Sequence, residues 1–141
     1  MPNFDLVLRN CNLINENSIS QVDIAIKDKR IEKISSMISE KANNEIDVNG
    51  KNVAPGVIDD QVHFREPGLT KKGEIKTESL AALYGGITST MDMPNVSPAS
   101  TTLDLLEERF QLAKEKSWTN YSFYLGATPD NIDEIKKVIN E

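Results

Sequence analysis

The hydrophobic period of the chain changes at Pro55-Gly56, and this change limits the available folds more than any other feature of the sequence. Before it, Phe4 to Asn10, Val22 to Lys27 and Arg30 to Ile34 each alternate apolar and polar residues, the period-two pattern of half-buried strands. Only Asp28-Lys29 separates the second run from the third, which predicts a tight hairpin. Ile46-Asp47-Val48 and Asn52-Val53-Ala54 read as further short strands around an Asn49-Gly50 turn. After Pro55-Gly56, strand-like runs alternate with helical patterns, as βα units on a parallel sheet do.

In that second region Val57-Ile58 reads as the end of a first buried strand. A helix is predicted from about Gly73 to Tyr84, with Ile75, Leu80, Ala81 and Leu83 as its apolar stripe and Gly85-Gly86 as its terminator. Ile87 to Met93 follows as a strand that sends Met91 and Met93 into the core. Thr101 or Thr102 caps a helix whose Leu103, Leu106, Phe110 and Ala113 recur at helical spacing to about Lys116. Trp118 reads as a packing anchor before a third strand, Tyr121 to Gly126, and Ile132, Ile135, Val138 and Ile139 mark a third helix.

The expected fold class is therefore α/β, with a β-rich region over 1–54 and βα units over 55–141. Three such units cannot close a (β/α)₈ barrel, which takes about 250 residues, and they leave an unpaired sheet edge. The expectation is a fragment of a longer polypeptide, or a chain that associates through that edge.

Charge and composition remove several classes of function. A net charge of −6 argues against a nucleic-acid surface, and the one basic cluster, Lys27-Asp28-Lys29-Arg30, is short and interrupted, as in a solvated hairpin turn. No apolar run approaches the ~20 residues that span a bilayer, so no membrane partner is expected. The first residues lack the basic start and apolar core of a secretory signal, which makes the cytoplasm the expected address. The single cysteine, Cys11, lies among Leu8, Leu13 and Ile14 and reads as a small buried hydrophobe.

Chemistry concentrates in Pro55-Gly56-Val57-Ile58-Asp59-Asp60-Gln61-Val62-His63-Phe64-Arg65-Glu66-Pro67-Gly68, where the only histidine, an arginine and several carboxylates meet as a strand runs into a βα loop. This stretch resembles the amidohydrolase signature P-G-x-I-D-x-H-x-H, and the continuation F-R-E-P-G resembles the dihydroorotase branch of that superfamily. Leu69-Thr70-Lys71-Lys72, Ala81 to Thr88 and Met93-Pro94-Asn95-Val96-Ser97-Pro98 resemble the next family blocks in order and spacing. The resemblance implies the first βα units of a TIM (β/α)₈ barrel, preceded by part of a small β-sandwich. It also implies a metal-dependent hydrolase of cyclic amides with one or two Zn²⁺ ions, a small anionic substrate and a homo-oligomeric full-length protein. The activity implied is interconversion of N-carbamoyl-L-aspartate and dihydroorotate in pyrimidine biosynthesis. Allantoinases and hydantoinases share the reaction class.

By the same resemblance His63 is a metal ligand, and Arg65 and Asn95 hold a substrate carboxylate. A planar guanidinium suits that task. Gln61 stands where the family has its first histidine. An amide oxygen is a poorer zinc ligand than imidazole and suits harder cations. This leaves open a weakened metal site, a mononuclear centre, a branch that uses the amide, or a protein kept as a non-catalytic scaffold. The remaining ligands and the catalytic aspartate are expected beyond Glu141, so no catalytic residue is assigned within the chain and the 141 residues alone are expected to be inactive. Asp130 and Asp133 lie at a predicted helix start, where capping is their expected role. Ordinary structural roles stand beside three functional ones: a surface ion pair for Arg65 with Glu66, a strand-end cap for Asp59 beside a role in orienting a metal ligand, and a turn preference for Asn95.

Overall fold

A computed structural model of the chain describes residues 3–139. The backbone divides into two compact units, one up to Pro55 and one from Gly56 onward.

The first unit is a single five-stranded sheet formed by β1 (Phe4–Asn15), β2 (Ser18–Lys27), β3 (Arg30–Ser35), β4 (Ala42–Asp47) and β5 (Asn52–Val53). The order is β3-β2-β1-β4, with β5 also on β1. Both hairpins turn on two residues of positive φ, Glu16-Asn17 and Asp28-Lys29, the signs of a type I′ turn whose twist matches that of the strands it joins. Asn49 and Gly50 also have positive φ, as the turn chemistry predicts. Val7 and Ala25 pack with Phe4 and Ile38 in a buried cluster, and Cys11 is fully buried as expected. Across the strands Ile34, Ile24, Leu8 and Ile46 lie in one row, and the end members Ile34 and Ile46 are exposed. The described residues form one sheet here rather than two facing sheets. Arg9 joins Asp23 at 2.9 Å and Glu45 at 3.0 Å.

The second unit carries the parallel sheet. Its elements are β6 (Val57–Val62), α1 (Ile75–Tyr84), β7 (Ile87–Asp92), α2 (Leu103–Lys116), β8 (Asn120–Phe123) and α3 (Ile132–Ile139). The strand order is β6-β7-β8, all parallel, with α1 and α2 as the crossovers. Thr102 caps α2 by accepting from Leu105 N at 3.3 Å. Phe64, Ile75, Leu106, Ala113 and Phe123 form the core, with Phe110 edge-on to Phe123 at 5.0 Å between ring centroids. At the entry to β6 a side chain on Gly56 would meet Thr88 Oγ1 at 2.1 Å, so the close approach of the first two strands requires glycine there.

Three expectations fail in this unit. Val57 and Ile58 are 56% and 67% exposed, because β6 has a strand on only one side among the described residues. On α1 only Ile75 and Ser79 are buried, while Ala81 and Leu83 are exposed, so of the predicted apolar stripe Ile75 alone lies in the core. Trp118 is 56% exposed and anchors through its backbone, where its N–H donates to Ser79 Oγ at 3.1 Å, rather than through its ring. Among the described residues no helix is long and apolar enough to cross a membrane.

Candidate active site

Parallel strands deliver the residues that follow them to one edge of the sheet, so the segments after β6 and β7 meet there. His63 comes one residue after β6, and its Nδ1 lies 2.9 Å from Oδ1 of Asn95, three residues after β7. An amide oxygen only accepts, so in this contact Nδ1–H is the donor. Arg65 follows with φ +68, in the left-handed region that a branched or bulky side chain rarely occupies. Its Nη1 lies 3.5 Å from the Asn95 carbonyl, a long contact. His63, Arg65 and Asn95 therefore come together as one cluster. The Gln61 backbone N–H donates to Asp59 Oδ1 at 3.1 Å, and the residue lines a cavity of about 350 Å³ with Asp60, Met93, Pro94 and Tyr124. Met93 is thus at the cavity and only partly buried.

Two features hold these segments. A side chain on Gly68, where φ is +80, would meet the Ser97 carbonyl oxygen at 2.0 Å, so the two loops touch backbone to backbone. Glu66 is buried and does not pair with Arg65. Its Oε2 accepts from Ile75 N at 3.0 Å, at the start of α1, while Oε1 pairs with Lys116 at the end of α2. Glu66 in turn holds the Lys116 ammonium above its ordinary pKa.

Sequence reasoning did not single out Asp92 and Arg109. Both are buried and ion-paired beneath the cluster, and Asp92 Oδ1 also accepts from Phe64 N at 3.2 Å. Burial pushes the Asp92 carboxyl up and Arg109 opposes the shift. The signal was present in the sequence: Arg109 falls three residues after Leu106 and four before Ala113, on the apolar stripe of its helix, where an unpaired charge is not tolerated. Asp133 pairs with Lys136 at 3.2 Å on α3.

Among the described residues no group of three or more His, Cys, Asp or Glu side chains could hold a metal ion. The donor set explains why. There is one imidazole, with one nitrogen committed to Asn95, and Gln61, two residues before it in the chain, offers only an amide. A closed zinc site takes about four ligands, so the residues of this chain do not by themselves fit one.

Three parallel βα units with polar side chains gathered after the strands define an α/β chain built like the solved hydantoinases. The sequence matches the dihydro-orotase-like family over residues 50–134, and the chain belongs to that family. It is 36% identical over 137 residues to L-hydantoinase of Paenarthrobacter aurescens, covering 96% of this chain and 30% of the relative. It is 39% identical over 112 residues to dihydroorotase of Fusobacterium nucleatum, covering 79% and 26%. With allantoinase of Desulfitobacterium hafniense it shares 35% over 139 residues, covering 98% and 31%. The solved L-hydantoinase (dihydropyrimidinase) from Arthrobacter aurescens superimposes with a TM-score of 0.91 at 35% identity, over 97% of this chain and 31% of that one. These relatives make the family one of cyclic-amide hydrolases. The chain spans about 30% of the length of the curated relatives it matches.

Proposed function

We propose that this chain supplies part of the active site of a dihydroorotase, which interconverts N-carbamoyl-L-aspartate and dihydroorotate, and that its three βα units are consecutive units of an eightfold barrel. The observation that carries this reading is Arg65, held beside Asn95 at the mouth of the sheet. Dihydroorotate carries a ring carboxylate. Allantoin and simple hydantoins present neutral groups in its place, and a guanidinium fork rewards the carboxylate specifically. Asn95 fixes the His63 ring with Nε2 free, facing either a proton in transit or a metal ion. In the family reading a divalent ion such as zinc would polarise the amide carbonyl. Its other ligands would have to come from outside these 141 residues, and Gln61 in place of an imidazole lowers the number of ions this edge could help to hold.

Hydantoinase-type chemistry is the second reading, favoured by the 0.91 TM-score to L-hydantoinase. Kinetics of the polypeptide encoded by the whole reading frame that contains this chain separate the two. In the dihydroorotase reading, Arg65→Met raises KM for dihydroorotate by roughly tenfold or more, the loss of a charge-assisted bond, and leaves turnover of a neutral hydantoin unchanged. An equal effect on both substrates would sink the carboxylate role. A soluble parent polypeptide without turnover on any cyclic amide would favour a non-catalytic scaffold.

A further inference from the structure

Arg109 is the largest fully buried side chain among the described residues, and nothing in the proposed chemistry uses it. From α2 its guanidinium reaches the ends of the strands. Nη2 pairs with Asp92 at the end of β7. Nη1 donates to the Met93 carbonyl at 3.1 Å and to Ser100 Oγ at 3.3 Å, at the two ends of the loop that carries Asn95. The guanidinium carbon lies 4.3 Å from the ring centroid of Phe123, at the end of β8. The second oxygen of Asp92 accepts from Phe64 N, the residue between His63 and Arg65.

A buried ion pair is a poor source of stability, since an apolar pair of similar volume often serves as well. What this one supplies is fixed geometry at several points. We propose that Asp92 and Arg109 form a positioning clamp, which sets the His63–Asn95 contact by holding the backbone at Phe64 and Met93 in place. Neither residue belongs to the cluster itself, so both act through others. The catalytic meaning of the clamp rests on the functional reading above, whereas its existence can be tested without turnover.

The chemistry of the pair dictates the variants. The two oxygens of Asp92 serve two different donors, and an asparagine has one acceptor, so Asp92→Asn loses either Phe64 N–H or Arg109. Arg109→Lys keeps the charge but replaces a fork by a single point.

The test is nitrogen-15 NMR of the 141-residue chain at about pH 8, where imidazole is neutral. In the unsubstituted chain the ring shifts of His63 report the Nδ1–H form. In both variants they move toward a mixture of tautomers, and amide exchange at Phe64 in Asp92→Asn, or at Met93, whose N–H donates to the Val62 carbonyl at 3.0 Å, in Arg109→Lys, speeds up by about tenfold, while exchange in the β1–β4 sheet stays unchanged. Unaltered His63 shifts in both variants would overturn the proposal. So would acceleration spread evenly over the second unit, the result expected of a purely structural pair. Should neither variant fold, Ser100→Ala removes one neutral contact of Arg109, and an unaltered tautomer ratio in it would equally overturn the clamp. Absence of cyclic-amide turnover in the parent polypeptide would sink the functional reading without moving any of these signals.

Discussion

Replacing Gly68 with alanine should destabilise the second unit by about 2–4 kcal/mol, and the structure divides that figure into two parts. Gly68 has φ +80, and an L-residue in the left-handed region costs roughly 1–2 kcal/mol. The added methyl would also lie 2.0 Å from the Ser97 carbonyl oxygen and 2.7 Å from Ser97 Cβ, where real side chains stay beyond 3.0 Å. The 67–68 and 97–98 backbones must therefore separate by an ångström or more, which strains the 3.1 Å bond from Ser97 N to the Pro67 carbonyl and forfeits about 1 kcal/mol or more. Gly86 is the control within the same unit: its φ is +90, yet nothing lies within 4 Å of an added methyl, so Gly86→Ala carries only the conformational part. Urea unfolding followed by circular dichroism measures both. The excess of Gly68→Ala over Gly86→Ala is the energy of loop contact, and equal losses in the two variants would refute the claim that these loops are locked backbone to backbone.

Three further outcomes follow from the same contacts. Asp92→Ala and Arg109→Met should each cost about 3–5 kcal/mol by leaving a buried charge unpaired, while the double variant should cost far less than their sum; additive losses by urea unfolding would contradict a coupled pair. Glu66→Ala should destabilise more than Lys116→Met, because it also removes the acceptor for Ile75 N at the start of α1, and equal thermal shifts would show that this capping role is empty. In the first unit burial pushes the Asp23 carboxyl up, but the Arg9 guanidinium and the N–H groups of Asn10 and Ile38 outweigh it and hold the carboxyl below its ordinary range. The stability it contributes is thus present at neutral pH and lost as pH falls below about 4. Asp23→Asn should flatten the acid limb of the stability curve, and an unchanged limb would count against the Arg9 pair.

Elements governed by local chemistry were legible in the sequence. Period-two alternation marked the strands before Pro55, the two-residue loop at Asp28-Lys29 took the positive φ angles of its turn, and Thr102 capped α2. What failed depended on partners distant in the chain. Leu83 and Trp118 are apolar, but the face they occupy has nothing packed on it among the described residues, and Val57-Ile58 lies on a sheet edge without a second neighbour. Glu66 has a candidate partner next to it in Arg65 and instead takes Lys116, fifty residues away, because the start of α1 draws its carboxylate inward. At the site, the family resemblance placed His63, Arg65 and Asn95 in one pocket in expectation, and the loops bring them together in space, with Asn95 on the His63 ring. The Asp92–Arg109 pair beneath them was readable only as a charge on an apolar stripe.

The most direct measurement is ring opening of dihydroorotate by the polypeptide encoded by the whole reading frame, followed by the loss of its ultraviolet absorbance, with allantoin and a 5-substituted hydantoin assayed in parallel. The account predicts turnover of dihydroorotate at a kcat/KM well above that of either neutral ring, and no turnover by the 141-residue chain alone. Preference for a neutral ring, with dihydroorotate untouched, would contradict the role given to Arg65 and with it the central claim.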